Sequence, residues 1–222
     1  LCYVLFFPKL IAGPIARPSE FLPQLKMVRS GAWLSEQRWK GAAFFIVGLF
    51  KKACIADNLS PYTDRVFDLA NGDGAIGFYQ AWCGVFSYGL QLYFDFSGYT
   101  DMAIRVALMV GIILPPNFDA PYRATSISDF WKRWHMSLSF FFRDYLYIFL
   151  GGNRKGELRR YANVFIVMIL CGLWHGSGFQ FAVWGALHGF FTMIHAMWSG
   201  MKKASGWQFV GYEKQRLMLA RL

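Results

Sequence analysis

Ile76 to Phe94, IGFYQAWCGVFSYGLQLYF, runs for the length of a spanning helix without one charged residue. About 20 such residues, each rising 1.5 Å, cover a hydrocarbon core about 30 Å thick. In that medium every backbone polar group must find its partner within the protein, which leaves helices or closed barrels. A second run, Phe179 to Trp198, is interrupted only by His188 and His195. Trp39–Ile55 and Met102–Leu114 are weaker candidates, because the first holds Lys51 and Lys52 and the second is short and carries Arg105. Tyr161 to Trp174 covers roughly 21 Å and is too short to cross alone. The expectation is an all-α, polytopic membrane protein.

Composition points the same way. The chain is 55% hydrophobic, 19% aromatic and 16% charged, against about 25% charged in ordinary soluble domains. Its net charge of +10 raises nucleic acid as a partner. However, the cations come in short groups between apolar runs: Lys51-Lys52, Lys132-Arg133, Arg154-Lys155, Arg159-Arg160 and Lys202-Lys203. That is the pattern of cytoplasmic loops in a membrane protein, whereas a nucleic-acid binder shows a continuous basic stripe. Nucleic acid is therefore not an expected partner; the lipid bilayer is. Cys2, Cys54, Cys83 and Cys171 lack metal-ligand spacing and read as buried small hydrophobes, so no metal is expected. The chain begins inside an apolar stretch, shows no signal-peptide architecture and ends in the basic stretch after Lys214. Residues 1–222 read as a single membrane-embedded core, an internal fragment of a longer protein.

Between the candidate spans lies a different kind of segment, Ser126 to Leu150. Ser126 and Asp129 make a capping box, and Ile127, Phe130, Trp131, Trp134, Leu138, Phe142 and Tyr145 recur at helical spacing. Such a basic, aromatic amphipathic helix is suited to the membrane interface. Leu114-Pro-Pro-Asn-Phe-Asp-Ala-Pro-Tyr122 reads as an extended linker, since the residue before a proline is pushed out of the helical region. Prolines also break the first apolar run at Phe7–Pro14 and at Arg17-Pro18, as in a re-entrant loop.

One histidine stands where hydrocarbon is expected: His175 in Cys171-Gly-Leu-Trp-His-Gly-Ser-Gly-Phe-Gln-Phe181. If Arg154–Arg160 and Lys202-Lys203 share the cytoplasmic side, the stretch between them is a hairpin turning at Gly176-Ser-Gly178. Broken backbone at membrane depth is tolerated only where it is buried in protein or lines a wet cavity, and an ionisable side chain there is by default a functional candidate. His175 therefore reads as facing a polar pocket, against the plainer reading of a ring that bonds a neighbouring helix. Trp174 and the glycines 176 and 178 favour the pocket, because glycine lets another group come close. His135 stands open between a second catalytic group and an interfacial hydrogen-bonding residue. His188 and His195 read as helix-packing residues. Asp95 and Asp101, in a polar island that Gly98 is placed to break, read either as the carboxylate pair of a hydrolase or, in preference, as support for a neighbouring Arg or His.

Several strings resemble one family, in order along nearly the whole chain. They are Phe6-Phe-Pro-Lys-Leu-Ile-Ala-Gly-Pro-Ile-Ala-Arg17, Tyr93-Phe-Asp-Phe-Ser-Gly-Tyr-Thr-Asp-Met-Ala103 and Phe130-Trp-Lys-Arg-Trp-His-Met-Ser-Leu-Ser139, followed by Arg143-Asp-Tyr-Leu-Tyr-Ile148, Gly151-Gly-Asn-Arg154 and Leu173-Trp-His-Gly176. The family is the membrane-bound O-acyltransferases, in their bacterial alginate O-acetyltransferase-like branch. The resemblance implies a ring of tilted transmembrane helices, with re-entrant and interfacial helices, around a central tunnel in the bacterial inner membrane. It also implies that His175 is the essential histidine and His135 the second implicated polar residue; Trp174, Gly176, Asp95 and Asp101 are expected in support from their own positions in the sequence. Two departures touch channel shape or acceptor preference: Arg105 stands where glycine is common, and Phe179-Gln180 replaces a usual Trp-Thr.

The implied activity carries an acyl group, acetyl foremost, from a cytoplasmic thioester to an extracytoplasmic polysaccharide or to a periplasmic or extracellular acetyltransferase partner. The donor is acetyl-CoA or an acyl-carrier thioester, with no bound cofactor. A neutral imidazole suits the role of general base for such a transfer. The rival readings are D-alanyl transfer to teichoic acid from a carrier protein, and a non-catalytic export or transport subunit.

Overall fold

The computed structural model describes residues 1–27, 31–72 and 74–205; the basic stretch after Lys214 lies outside the described residues. Every regular element among them is helical. Chain contacts divide the protein into two compact units: residues 1–119 with 134–138, and residues 120–133 with those from 139 onward.

The first unit opens with α1 (Cys2–Leu5), a 3-10 turn at Phe7–Lys9 and α2 (Pro18–Leu25). The proline-rich break predicted at Phe7–Pro14 is thus a tight turn followed by non-helical chain. Pro18 starts α2, where its missing N–H is no loss, and Glu20 turns back to accept from the Arg17 N–H. Phe21 on α2 is fully buried. It meets the rings of Phe6 at 5.0 Å and Tyr3 at 5.5 Å and packs in a small core with Ala16, Ala107, Ile112 and Leu114.

The rest of this unit is an array of long helices. α3 (Gly31–Phe50) runs through a π-helical turn at Lys51–Ala56 directly into α4 (Asp57–Asn71), and both pack on α5 (Phe78–Met109). The α3–α5 crossing is set by paired glycines. A Cβ on Gly98 would lie 2.7 Å from the Gly48 carbonyl oxygen, and one on Gly48 2.9 Å from the Gly98 oxygen. Small residues of this kind let helix backbones approach closely. Gly98 therefore serves a crossing and does not break the helix, as the sequence had suggested; α5 is continuous through it.

In the second unit, α6 (Ile127–Arg133) begins on the predicted cap. Ser126 Oγ accepts from the Asp129 N–H at 3.1 Å, while the Asp129 carboxylate turns to the Thr125 N–H at 3.3 Å. Partial burial works against that carboxylate's charge, yet the bond to Arg133 and the Thr125 N–H hold it below its usual range. The expected continuous helix from Ser126 to Leu150 is in fact three pieces: α6, α7 (Met136–Phe142) and a π-helical turn at Arg143–Tyr147. Then follow α8 (Glu157–His175) and α9 (Phe179–Ala204), an antiparallel hairpin. α8 begins four residues before the predicted arm and reaches about 28 Å at 1.5 Å per residue. The turn before α8 is closed by Asn163, whose fully buried amide donates to the Gly152 carbonyl at 3.0 Å and the Leu150 carbonyl at 3.3 Å.

Among the described residues no helix is long and apolar enough to cross a membrane. This departs from the expectation for Ile76–Phe94 and Phe179–Trp198. Both lie in helices of ample length, α5 with 32 residues and α9 with 26. Many of their residues, however, are tyrosine, tryptophan, glycine, glutamine or histidine, amphipathic or small side chains that contribute little hydropathy. Several of the apolar side chains they carry point outward: Trp82, Val85 and Phe86 on α5, and Leu187, Phe190 and Phe191 on α9, are exposed. Contiguous apolar surface of this kind marks a face that meets lipid or other protein. Cys171 is buried as expected, but Cys2, Cys54 and Cys83 are exposed free thiols because their helix faces turn outward.

Candidate functional site

The polar island at Asp95 and Asp101 finds its partners on the π-helical turn. Lys51 Nζ lies 2.6 Å from Asp101 Oδ2, and Lys52 Nζ 2.6 Å from both Asp95 Oδ1 and Asp57 Oδ1. The two carboxylates thus support lysines and not the expected Arg or His. Lys51-Lys52, predicted in a cytoplasmic loop, lies inside the helical array. The extra residue of a π turn re-aims side chains, which here brings consecutive lysines to carboxylates six residues apart on α5. Nothing local in the sequence announced that pairing.

His135 interrupts the amphipathic segment. Its φ of +43° is left-handed, a region where a non-glycine residue costs about 1–3 kcal/mol unless its surroundings impose it. The surroundings are specific: the ring is 5% exposed and meets Phe96 edge to face at 4.7 Å. The chain just after it is clamped by buried Asn117, whose carbonyl accepts from the Met136 N–H at 2.9 Å and whose Oδ1 accepts from the Ser137 N–H at 3.2 Å. Ser137 Oγ in turn accepts from the Ile15 N–H at 3.0 Å. The proline-bounded linker and the N-terminal turn therefore together hold His135 in a strained backbone position.

His175 is the last residue of α8, and the chain leaves the helix at Gly176. His175 is exposed among the described residues. It touches Trp174 at 5.0 Å and Trp184 at 5.4 Å, both edge to face. Trp184, on α9, also packs on His188 at 4.8 Å and on Trp131 of α6 at 5.8 Å, and Trp131 meets His188 at 5.2 Å. A cluster of three tryptophans and two imidazoles thus gathers within this unit. Sequence reading missed Trp131 and Trp184; the i, i+4 spacing of Trp184 and His188 was the available signal. His195 Nδ1 lies 2.9 Å from Ser128 Oγ and joins α9 to α6.

The glycines beside His175 act otherwise than expected. The space next to Gly176 is filled by the Phe181 ring, and that next to Gly178 by the Gln180 side chain. The close approach that shapes the hairpin lies one turn earlier. A Cβ on Gly172 would meet the Phe181 carbonyl oxygen and sit 3.1 Å from Gly185 Cα. No group of three metal-ligating side chains occurs among the described residues.

The family model of the membrane-bound O-acyltransferases matches residues 1–215, and the chain belongs to that family. It is 48% identical over 198 residues to a peptidoglycan O-acetyltransferase of Helicobacter pylori, covering 89% of this chain and 37% of the relative. It is 44% identical over 204 residues to the probable alginate O-acetylase AlgI of Pseudomonas aeruginosa, covering 92% and 36%. The teichoic acid D-alanyltransferase of Bacillus subtilis is 30% identical over 218 residues, covering 93% and 53%. The chain spans about two-fifths of the length of the two O-acetylating relatives.

Proposed function

We propose that the chain is the histidine-bearing part of a single acyltransferase core in the bacterial cytoplasmic membrane, within a multi-pass ring of helices around a tunnel. It moves an acetyl group from a cytoplasmic thioester, acetyl-CoA or an acyl carrier, to hydroxyls of an extracytoplasmic polysaccharide or to a partner acetyltransferase. The observation that carries this reading is the setting of His175: an accessible imidazole at a helix end, held by two tryptophans, in the Leu173-Trp-His-Gly176 string whose resemblance to the family motif implies the essential histidine. The outward apolar faces of α5 and α9 support a bilayer or further helices around the core. The names of the relatives support O-acetylation of an envelope polymer.

In this reading His175 takes the proton from the attacking hydroxyl as its oxygen bonds to the thioester carbonyl carbon. The tetrahedral centre collapses, the carbon–sulfur bond breaks, and the imidazolium returns its proton to the thiolate. Positioned general bases contribute typically 10²- to 10⁴-fold. Backbone N–H groups from Gly176 to the first turn of α9 stand nearest in the chain to receive the developing oxyanion, and a helix N-terminus favours negative charge. His135 is the second polar residue that the resemblance implicates, while Trp174 and Gly176 shape His175's surroundings. The Lys51–Asp101 and Lys52–Asp95 pairs hold the helices that carry the motifs.

Mass analysis of envelope polymers from cells with and without the intact gene tests the reading. Loss of O-linked acetyl groups is expected. Loss of alanyl esters instead would move the assignment to the teichoic-acid branch, and an unchanged polymer would overturn it.

A further inference from the structure

Two nitrogens in the aromatic cluster stand out. Trp131 Nε1 and His188 Nδ1 are both buried, and neither has a hydrogen-bond partner among the described residues. A buried donor left unsatisfied is costly and needs an explanation. The two rings face each other nearly perpendicularly at 5.2 Å, and Trp184 packs against both. The close Gly172–Gly185 approach fixes α9 against α8, and α6 is anchored to α9 through Ser128 and His195. Trp131 on α6 and Trp184 and His188 on α9 are thus brought together by helices anchored to each other.

We propose that Trp131 and His188 form a hydroxyl-binding subsite for the acceptor, next to the candidate base but separate from it. The inference rests on the acyltransferase reading of His175. A hydroxyl suits the two nitrogens because it both accepts and donates. Its oxygen takes the Trp131 N–H, and it either gives its proton to His188 Nδ1 or accepts from that nitrogen, whichever tautomer is present. Both nitrogens are shut off from bulk solvent, so the group that satisfies them is small and inserted.

Trp184 touches both imidazoles, at 5.4 Å and 4.8 Å. The hydroxyl held by Trp131 and His188 is accordingly not the one His175 deprotonates. It is a neighbour on the same molecule. The ligand class is a polyhydroxylated acceptor such as a sugar residue, and the subsite selects which of its hydroxyls reaches His175. A site built to bond a hydroxyl discriminates strongly against an acceptor that lacks it.

The test uses the full-length protein in cells lacking their own copy, reading the rate at which O-acetyl ester appears on the envelope polymer. Trp131 is replaced with benzothienylalanine, which exchanges the indole N–H for sulfur at nearly constant shape. An approximately 10-fold slower rate at unchanged protein abundance is expected, the share of one hydrogen bond. His188→Asn, which places an amide near the Nδ1 position, is expected to keep about ten times more of the rate than His188→Leu. A benzothienylalanine variant within twofold of wild type would overturn the subsite. His175→Ala separates the two failures: if it is inactive while the Trp131 analogue is unaffected, only the subsite falls, and if it remains active, the reading of His175 falls as well.

Discussion

Changing His175 to glutamine in the full-length protein is expected to slow acyl transfer by about 10²- to 10⁴-fold while membrane abundance stays at the wild-type level. The two halves of that expectation have different causes. The residue is exposed, and among the described residues its ring meets the rings of Trp174 and Trp184. Substitution at such a site typically changes stability within about 0.5 kcal/mol. The chemistry, by contrast, needs a group that is unprotonated near neutral pH yet basic enough to take a hydroxyl proton. Glutamine has the size and hydrogen-bonding reach but cannot accept that proton. An export or transport subunit would instead leave acetylation at its normal level, and a rate within twofold of wild type would remove His175 from the mechanism.

Gly172→Val is expected to act through the fold and to destabilise the α8–α9 hairpin by about 3 kcal/mol or more, the upper end of overpacking effects. The reason lies in what the added methyls would meet. The first new carbon already runs into the Phe181 carbonyl oxygen and the Gly185 backbone, and backbone atoms cannot rotate aside as a side-chain tip can. Gly185 is equally confined, against the Met168 carbonyl and Ile169 Cα, so the crossing cannot slide to make room. Thermal unfolding of the detergent-solubilised protein reads the effect directly. Gly77→Ser is the control, since nothing lies within 4 Å of a Cβ there and serine is a favoured helix cap. Equal unfolding temperatures for the two variants would show that the hairpin does not depend on this contact.

The helical class, the Ser126 cap and the hairpin with its turn at Gly176–Gly178 were legible because each rests on local spacing. What the sequence hid depends on distance or on strain. The pairing of Lys51 and Lys52 with Asp101 and Asp95 joins residues 50 and 43 apart along the chain, and the charge pattern alone read the lysines as loop residues. The break at His135 ran against a clean amphipathic period. That period correctly named the apolar side chains but could not reveal that Asn117 and Ser137 hold the backbone in a left-handed turn. Gly98 was read as a helix breaker because glycine's conformational freedom shows in a sequence, whereas its role in close packing needs the partner helix in view. The same limit concealed Trp131 and Trp184, whose importance appears only when α6 and α9 meet.

Solvent access to position 175 is the most direct test. In a full-length variant freed of other cysteines, Cys2, Cys54, Cys83 and Cys171 included, His175→Cys is treated in intact membranes with a small charged thiol reagent. An imidazole that takes protons from a hydroxylated acceptor must stand where water and acceptor reach it, so labelling at a rate comparable to an exposed control thiol is the expected result. A thiol there that stays unlabelled until the protein is unfolded would contradict the account.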